Sequence, residues 1–401
     1  MIKTTPPMGW NTWNTFGRDI SDKLIRETAD VLADSGLRDL GYNYLVIDDD
    51  WALMERDKNG RLVPNPEKFP NGMKAVADYV HSKGLKFGMY SCAGYVTCVG
   101  TPGSFEYEWI DAQTFAEWGV DFLKYDFCQH PMTTRADILY KRMGLALANC
   151  GRDILFNTCS WGSENTRVWV KEVGAHMWRS YGDIYDSWNS IKEIARVNLE
   201  RQEYNGLGCF NDMDMLIVGM HGKGLVGLGG CTDEEYRLHF SLWALLNSPL
   251  FIGCDIRNMD DVTKSILMNK DVIDINQDPA GRQPFFVNRF DFKVNEHRGS
   301  KDGFYREYPL DCPVLAKYLD NGDIAIGFFN LSDTDVSWVH HIALFDSLGL
   351  PASSDKTILL KDLWTKEETV INNEIIIPNE WPNPLKAHSC KLFRAKIIDK
   401  K

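Results

Sequence analysis

The sequence predicts a (β/α)8 TIM barrel followed by a C-terminal antiparallel β-sandwich domain. Two observations predict the barrel. Short apolar runs alternate with helical stretches over roughly the first 280 residues, and several of these runs end in charged side chains. Parallel strands of a barrel all end at one face, the face at which such proteins carry their sites. A third observation, a change to hairpin-like patterns after about Asn288, predicts the second domain.

The barrel is predicted to span residues 1–288. Its clearest strand is 120–126, an apolar run that ends at Asp126. In chain order the predicted strands are 8–13, 44–49, 85–90, 120–126, 154–159, 176–181, 209–214 and 249–255, and the predicted helices are 21–35, 72–83, 107–117, 133–149, 185–200 and 233–246. Ser21 can cap the first helix, and Gly119 stands where the third should stop. A doubly wound sheet is the alternative, but no glycine-rich phosphate turn follows the first strand.

Residues 289–401 are predicted to form the β-sandwich. The strongest signal is an Asp-Asn-Gly-Asp turn at 320–323 between two strand-like runs, 314–319 and 324–329. Further strands are predicted at 356–360, 374–377 and 389–394. No motif that could carry chemistry lies in this part, so we expect it to be structural and to pack on the barrel.

Composition and net charge argue against several classes of partner and cofactor. The net charge of -12 argues against nucleic acid and anionic membranes as partners. No apolar signal segment or run of transmembrane length is present in the sequence, so a cytoplasmic location is expected. The ten cysteines are too dilute for a disulfide scaffold and lack zinc-site spacing, so no metal and no cofactor are expected. A homo-oligomer is compatible with the sequence, but no surface patch specifies one.

Two carboxylates are the candidates for catalysis. Asp126 ends a strand with Lys124 on the same face, and the ammonium favours the ionised form that a nucleophile needs. A structural Lys–Asp pair is the alternative for these two residues. Asp183 is the candidate general acid and base, a role that needs a pKa raised by partial burial among neighbouring aromatic residues. The alternative for Asp183 is the N-cap of the helix that follows.

Other strand ends carry candidate binding residues. Asp48, Asp49 and Asp50 follow one another at the end of the second strand. Three adjacent acids can hold a cation, but no His or Glu follows at ligand spacing, so contacts to vicinal sugar hydroxyls are favoured. Trp13 and Trp161 stand beside polar residues at strand ends and are candidates for flat apolar platforms under a sugar ring, with core packing as the alternative.

The motifs occur in a specific order: PPMGWNTWNTFG (6–17), YNYLVIDDDW (42–51), GLKFGMYSCAGYVTC (84–98), VDFLKYDFC (120–128), CSWG (159–162), WRSYGDI (178–184), NDMDML (211–216), NSPLFIGCDI (247–256) and INQDPAGRQ (275–283). As an ordered set they closely resemble glycoside hydrolase family 27, the α-galactosidase and α-N-acetylgalactosaminidase family. The resemblance covers the whole barrel and extends only loosely to the C-terminal third.

The resemblance implies a retaining exo-glycosidase that removes terminal α-galactosyl residues from a small molecule or an oligosaccharide. Asp126 would be the nucleophile and Asp183 the acid and base, with their carboxyl groups about 5–5.5 Å apart. Asp48 and Asp49 match a pair that holds O4 and O6 of the sugar, and Lys124 and Arg179 match contacts to ring hydroxyls. The other positions matched to the substrate pocket are Trp13, Tyr90, Cys98, Cys159, Ser160, Trp161, Ser163, Asp212 and Met215. A non-catalytic carbohydrate-binding protein on the same fold is the remote alternative.

The cysteine pattern departs from the family. Cys98 and Cys128 match a disulfide that braces the nucleophile loop in secreted relatives, and in a reducing cytosol they would stay thiols. Asp50 stands where many relatives have cysteine, and Ala175 replaces the usual partner of Cys159. Two family disulfides therefore cannot form, which agrees with an intracellular protein.

Two further departures concern the pocket. Ser160 and Ser163 are small where well-known α-galactosidases carry larger residues. Small residues there would admit a 2-acetamido group, so α-N-acetylgalactosaminidase is the alternative activity. Met213 replaces a common proline, and we expect the replacement to be tolerated.

Overall fold

The computed structural model describes residues 5–201, 204–287, 311–336, 345, 347–350, 354–371 and 385–400. Eight parallel strands form the first sheet, in the order β7-β6-β5-β4-β3-β2-β1-β8. They are β1 (Met8–Asn11), β2 (Tyr44–Val46), β3 (Lys86–Cys92), β4 (Phe122–Asp126), β5 (Leu155–Cys159), β6 (Met177–Arg179), β7 (Phe210–Asp212) and β8 (Leu250–Ile252). A parallel bridge between Leu216 and Ile252 joins the two ends of the sheet. The predicted TIM barrel is confirmed.

Helices connect the strands. They are α1 (Trp13–Phe16), α2 (Asp22–Asp34), α3 (Gly72–Ser82), α4 (Glu108–Trp118), α5 (Ala136–Ala148), α6 (Thr166–Trp169), α7 (Trp188–Leu199), α8 (Asp233–Leu245), α9 (Asp261–Leu267) and α10 (Lys270–Asn276). Ser21 caps α2 by accepting a hydrogen bond from the Leu24 N–H, as predicted. Gly119 ends α4 in the left-handed conformation that favours glycine. No described helix is long and apolar enough to cross a membrane.

Alternation along the strands places charge at one end of the barrel. On β4, Phe122, Lys124 and Asp126 have the same parity and so share one face. Phe122 packs inside the barrel in a small apolar cluster with Tyr44, Val46, Leu155, Met177, Met215 and Phe251. The next inward positions toward the C-terminal ends are charged on several strands. The barrel interior therefore changes from apolar to charged along its axis, and the charged end is the candidate site.

The C-terminal part forms a six-stranded antiparallel sheet, in the order β13-β12-β14-β11-β10-β9. Its strands are β9 (Phe285–Phe286), β10 (Val314–Tyr318), β11 (Ile324–Asn330), β12 (Lys356–Asp362), β13 (Glu368–Ile371) and β14 (Ser389–Asp399). The predicted hairpin is β10–β11, with Tyr318 opposite Ile324. The predicted strand 374–377 and the predicted domain boundary at 288–289 lie outside the described residues.

The second sheet packs on α8 of the barrel. Leu245 of α8 lies in the same buried cluster as Phe329 and Leu392 of the sheet. The Trp364 indole N–H donates to the Ser241 hydroxyl across this interface at 3.0 Å. Lys317 of β10 is also buried where the two parts meet. These contacts agree with the expectation that the second part packs on the barrel.

Lys317 links the two parts, and among the described residues no carboxylate forms an ion pair with it. Its Nζ donates to Asn247 Oδ1 and to the Ile275 carbonyl, both at 2.7 Å. Burial lowers the pKa of Lys317 to about 7, although Asp278 opposes the shift. Because the unfolded chain binds this proton up to about pH 10.4, the unfolded state holds more protons than the folded state between about pH 7 and pH 10.

We therefore predict that Lys317→Met changes the pH dependence of stability. As pH rises from 7 to 10, the free energy of unfolding of the wild type should increase relative to the variant by on the order of 1–4 kcal/mol. Urea unfolding at pH 7, 8, 9 and 10 measures this difference. Lys396→Met, which removes an exposed lysine of β14, is the control and should follow the wild type. Parallel curves for wild type and Lys317→Met would contradict the buried, neutral lysine.

Candidate active site

A cavity of about 300 Å³ opens at the C-terminal ends of the barrel strands. Eleven residues singled out by the sequence line it: Trp13, Asp48, Asp49, Tyr90, Cys98, Lys124, Asp126, Trp161, Arg179, Asp183 and Met215. They come from the ends of seven strands, β1 to β7, and from the loops that follow. The fold thus brings residues that lie up to about 200 positions apart in sequence into one pocket.

Asp126 lies at the closed end of the pocket, buried at the end of β4. The Tyr90 hydroxyl donates to Asp126 Oδ2 at 3.0 Å, and the Phe127 N–H donates to Oδ1 at 2.8 Å. Burial raises the pKa of Asp126 to about 6, and Lys124 only partly opposes it. The reason is that the Lys124 ammonium forms its ion pair with Asp48, at 2.9 Å. Lys124 and Asp126 are therefore not a simple structural pair.

Asp183 lies at the open side of the pocket, with its side chain 52% exposed. Arg179 Nη2 donates to Asp183 Oδ1 at 2.9 Å and also lies 3.0 Å from Asp214 Oδ2. Burial would raise the pKa of Asp183, but the positive charges of Arg179 and Lys124 outweigh it, so the pKa lies below its ordinary value. The helix-cap alternative is not observed, because the N-cap residue of α7 is Ser187.

One of the two expectations is reversed. The sequence led us to expect an ionised Asp126 beside Lys124 and a raised pKa at Asp183. The pKa of Asp183 is lowered instead, because Arg179 donates a hydrogen bond to its carboxylate. The pKa of Asp126 is raised, because burial outweighs the charge of Lys124, which is paired with Asp48.

The three adjacent acids have separate environments. Asp48 accepts from Lys124 and from Asn11 Nδ2 at 2.8 Å. Asp49 accepts from the Val99 N–H at 3.2 Å and the Thr101 hydroxyl at 3.3 Å, and burial raises its pKa. Asp50 forms an ion pair with Lys68 at 2.8 Å and does not line the cavity.

The ten cysteines divide into one disulfide-bonded pair and eight that stand outside any disulfide. Cys98 and Cys128 form a disulfide that ties the loop after β3 to the loop after β4. Cys159 is free and buried, and Arg179 Nη1 donates to its sulfur at 3.8 Å. Two further disulfides of the family cannot form, because Asp50 and Ala175 stand where the family usually has cysteine.

Four predicted pocket residues do not line the cavity: Cys159, Ser160, Ser163 and Asp212. Ser160 is fully buried, and its hydroxyl is hydrogen-bonded to Thr166. Asp212 ends β7 and accepts the Asp214 N–H at 2.9 Å, and burial raises its pKa to about 6. Nearby, the Met213 N–H donates to the Ser248 hydroxyl at 3.0 Å, a bond that the common proline could not make.

Five lining residues were missed by the sequence analysis: Asn14, Tyr185, Asp214, Leu225 and Val226. The same motif offers Asp214 as a candidate, because it lies two positions after Asp212, but the spacing does not decide between the two carboxylates. It pairs with Arg179 and accepts the Ile184 N–H at 2.8 Å. Leu225 and Val226 lie in a glycine-rich loop that has no strand or motif signal.

This arrangement defines a class of protein. The pocket is closed at one end, has the size of a sugar ring, and presents buried charged groups that suit hydroxyls. Two carboxylates with pKa values pushed apart line it, one buried and one exposed. A barrel that carries such a site at this face has the architecture of a glycoside hydrolase.

Comparison with known proteins gives the family. The alpha galactosidase A family matches residues 5–278, and the alpha galactosidase C-terminal beta sandwich domain matches residues 311–395. Alpha-galactosidase 3 of Arabidopsis thaliana is 50% identical over 98% of this chain and 82% of its own length. The chain therefore belongs to the alpha-galactosidase family of glycoside hydrolases, as its motifs predict.

Solved structures agree over the whole length. Alpha-galactosidase I from Mortierella vinacea superposes with a TM-score of 0.83 at 33% identity, covering 100% of this chain and 98% of its own. The alpha-galactosidase from Saccharomyces cerevisiae with raffinose gives a TM-score of 0.81 at 30% identity, covering 99% and 98%. Barrel and second sheet thus occur together in these relatives.

Proposed function

We propose that this protein is a retaining exo-α-galactosidase that hydrolyses terminal α-galactosyl residues by a double displacement. The observation that carries the proposal is that Asp126 and Asp183 line one sugar-sized pocket. The alpha-galactosidase relatives, one of them solved with raffinose, support the same substrate class. Small galactosides and galactosyl oligosaccharides are the expected substrates.

The chemistry follows from the two positions. An Asp126 carboxylate oxygen attacks the anomeric carbon, the glycosidic C–O bond breaks, and Asp183 donates its proton to the departing oxygen. Water then attacks the same carbon, Asp183 takes a proton from it, and the ester bond to Asp126 breaks. Two inversions retain the configuration, and we expect a carboxyl separation of about 5–5.5 Å.

The reactive state needs one proton on the pair, and that proton must be on Asp183. In the free pocket the proton favours Asp126 instead, since Arg179 lowers the pKa of Asp183. We propose that a sugar hydroxyl takes over the Arg179 N–H on binding. Loss of this bond would raise the pKa of Asp183 and leave Asp126 ionised.

The buried charges would recognise the sugar. Asp48, Asp49 and Lys124 lie beside Asp126 and offer acceptors and donors for the hydroxyls far from the anomeric carbon. Trp13 and Met215 provide apolar walls. The need to satisfy these buried groups would select a galacto-configured hexose, because an unpaired buried charge is costly.

Activity on α-N-acetylgalactosaminides is not favoured. That alternative rested on Ser160 and Ser163, and neither lines the cavity. The Ser160 hydroxyl is already bonded to Thr166 and is buried away from the pocket. The relatives compared above, at 30–50% identity, are named alpha-galactosidases.

We also propose a cytoplasmic location and the division into a catalytic part, 1–288, whose last strand β9 joins the second sheet, and a structural part, 289–401. All lining residues of the pocket belong to the first part. Eight of the ten cysteines stand outside the disulfide, which favours a reducing compartment, where the Cys98–Cys128 bond would be reduced to thiols. Recovery of the native protein with Cys98 and Cys128 fully oxidised in the periplasm or medium would argue against the cytoplasm.

Replacing the nucleophile tests the activity. Wild-type protein should release p-nitrophenol from the α-galactoside and much less from the corresponding α-N-acetylgalactosaminide. Asp126→Ala should lower kcat on the galactoside by at least about 10⁴-fold, because the covalent step is lost. Added azide should restore part of the rate by entering the vacated space. The control Asp50→Ala lies outside the cavity and should stay near wild type. Near-normal kcat in Asp126→Ala would refute the assignment.

The dependence of the rate on the leaving group tests the assignment of Asp183 as the general acid. Asp183→Ala should lose roughly 10²–10⁴-fold in kcat/KM on a galactosyl disaccharide, whose leaving group must be protonated. The loss on an aryl galactoside with an acidic phenol should be much smaller. Steady-state kinetics with the two substrates give the ratio directly. Equal losses on both would remove Asp183 from the acid role.

The pH profile tests the proton argument. The reactive pair holds one proton, so kcat/KM of the wild type on a disaccharide should fall above about pH 6, the pKa to which burial raises Asp126. In Asp183→Ala with an activated aryl galactoside, only ionised Asp126 is needed. Its kcat/KM should instead rise with pH and then stay level, with a midpoint below that of the wild-type falling limb, because the Asp183 charge that helps to raise the Asp126 pKa is gone. The same falling limb in both would show that it does not come from this pair.

A further inference from the structure

The lining of the pocket is uneven. The charged residues at its closed end, including Asp48, Lys124 and Asp126, are buried. Two lining side chains of a different kind are about half exposed: Tyr185 at 48% and Leu225 at 54%. The third apolar group in the opening, Trp161, is partly buried. Beside the exposed carboxylate of Asp183, the opening therefore presents apolar side chains, whereas the interior is charged.

Asp183 shows which part of a substrate meets this opening. Its side chain is 52% exposed and lies only two residues before Tyr185. A general acid must reach the oxygen of the departing group. The departing group therefore leaves through the side of the pocket that Tyr185 and Leu225 line, whereas the galactosyl ring occupies the charged interior.

Leu225 belongs to a loop, residues 219–230, that is held firmly. The Leu225 N–H donates to the Thr15 carbonyl at 3.2 Å and the Val226 N–H donates to the Asn14 carbonyl at 3.1 Å, so the loop is bound to α1. Leu225 also packs over Gly17, where a Cβ would come within 2.8 Å of its Cδ2 atom. These contacts fix an exposed apolar side chain at the pocket.

A buried carboxylate fastens the other side of the loop. Asp186 Oδ2 accepts the Gly222 N–H at 2.6 Å, and Oδ1 accepts the Tyr236 hydroxyl at 2.8 Å. The Asp186 backbone donates to the Val226 carbonyl at 2.9 Å and accepts from the Gly230 N–H at 3.0 Å. Asp186 lies three residues after Asp183, so the loop and the acid are positioned by the same segment.

We infer that Trp161, Tyr185 and Leu225 form a leaving-group subsite that takes a ring with a flat apolar face, such as a second pyranose. This inference rests on the proposed α-galactosidase activity. Pyranose rings present C–H groups on their faces and stack on aromatic and aliphatic side chains. Because these side chains are already held in place, little conformational entropy is lost when a leaving group binds against them. Their contacts therefore contribute to the rate. A methyl leaving group is too small to reach this wall.

The test compares melibiose with methyl α-galactoside. For Leu225→Ala and Tyr185→Ala, the ratio of kcat/KM on melibiose to kcat/KM on methyl α-galactoside should fall about 5–10-fold. The inhibition constant of galactose, which fills only the interior, should change less than about twofold. Tyr185→Phe keeps the ring and should retain most of the ratio. Thermal unfolding checks that each variant is folded.

Leu228 provides the matched control. It lies on the same loop, is 62% exposed and does not line the cavity. Leu228→Ala should leave the ratio and both rates unchanged. An unchanged ratio in both Leu225→Ala and Tyr185→Ala, or an equal fall in Leu228→Ala, would overturn the subsite. Failure of the wild type to cleave either galactoside would instead overturn the proposed activity.

Discussion

Two buried cations, Lys124 and Arg179, are the constraint on which the pocket depends. Asp48, Asp126 and Asp214 are carboxylates that the barrel buries at its C-terminal end. A buried charge without a partner costs several kcal/mol, so these acids could not be held together alone. Lys124 bonds Asp48 at 2.9 Å and Arg179 lies 3.0 Å from Asp214. The cations make the cluster tolerable and leave it preorganised for neutral hydroxyls.

The same two cations set the acid–base properties of the site. Because Lys124 is engaged by Asp48, burial dominates at Asp126 and raises its pKa. Because Arg179 bonds Asp183, the pKa of that exposed carboxyl is lowered. In the proposed mechanism, Arg179 would connect sugar binding to the position of the proton through a single guanidinium group, so that one substrate would both fill the pocket and prepare the acid.

Local sequence patterns predicted most of the fold and the central residues of the site. Alternation along β4 puts Lys124 and Asp126 on one face, and parallel strands all end at the same rim. Asp48 could therefore be assigned to the pocket from its strand end, and Arg179 from the resemblance of its motif to the family. The second sheet followed from its hairpin turn for the same local reason.

Contacts between residues far apart in the sequence could not be predicted from such local patterns. Asp214 can be chosen over Asp212 only when the position of Arg179 is known. Ser160 can be excluded from the pocket lining only when its hydrogen bond to Thr166 is known. Leu225 lines the pocket only because backbone bonds from α1 and Asp186 hold its loop there. Periodicity encodes which way a strand residue faces. It carries no information on which partner a charge chooses or where an irregular loop lies, since both depend on groups far away in the chain.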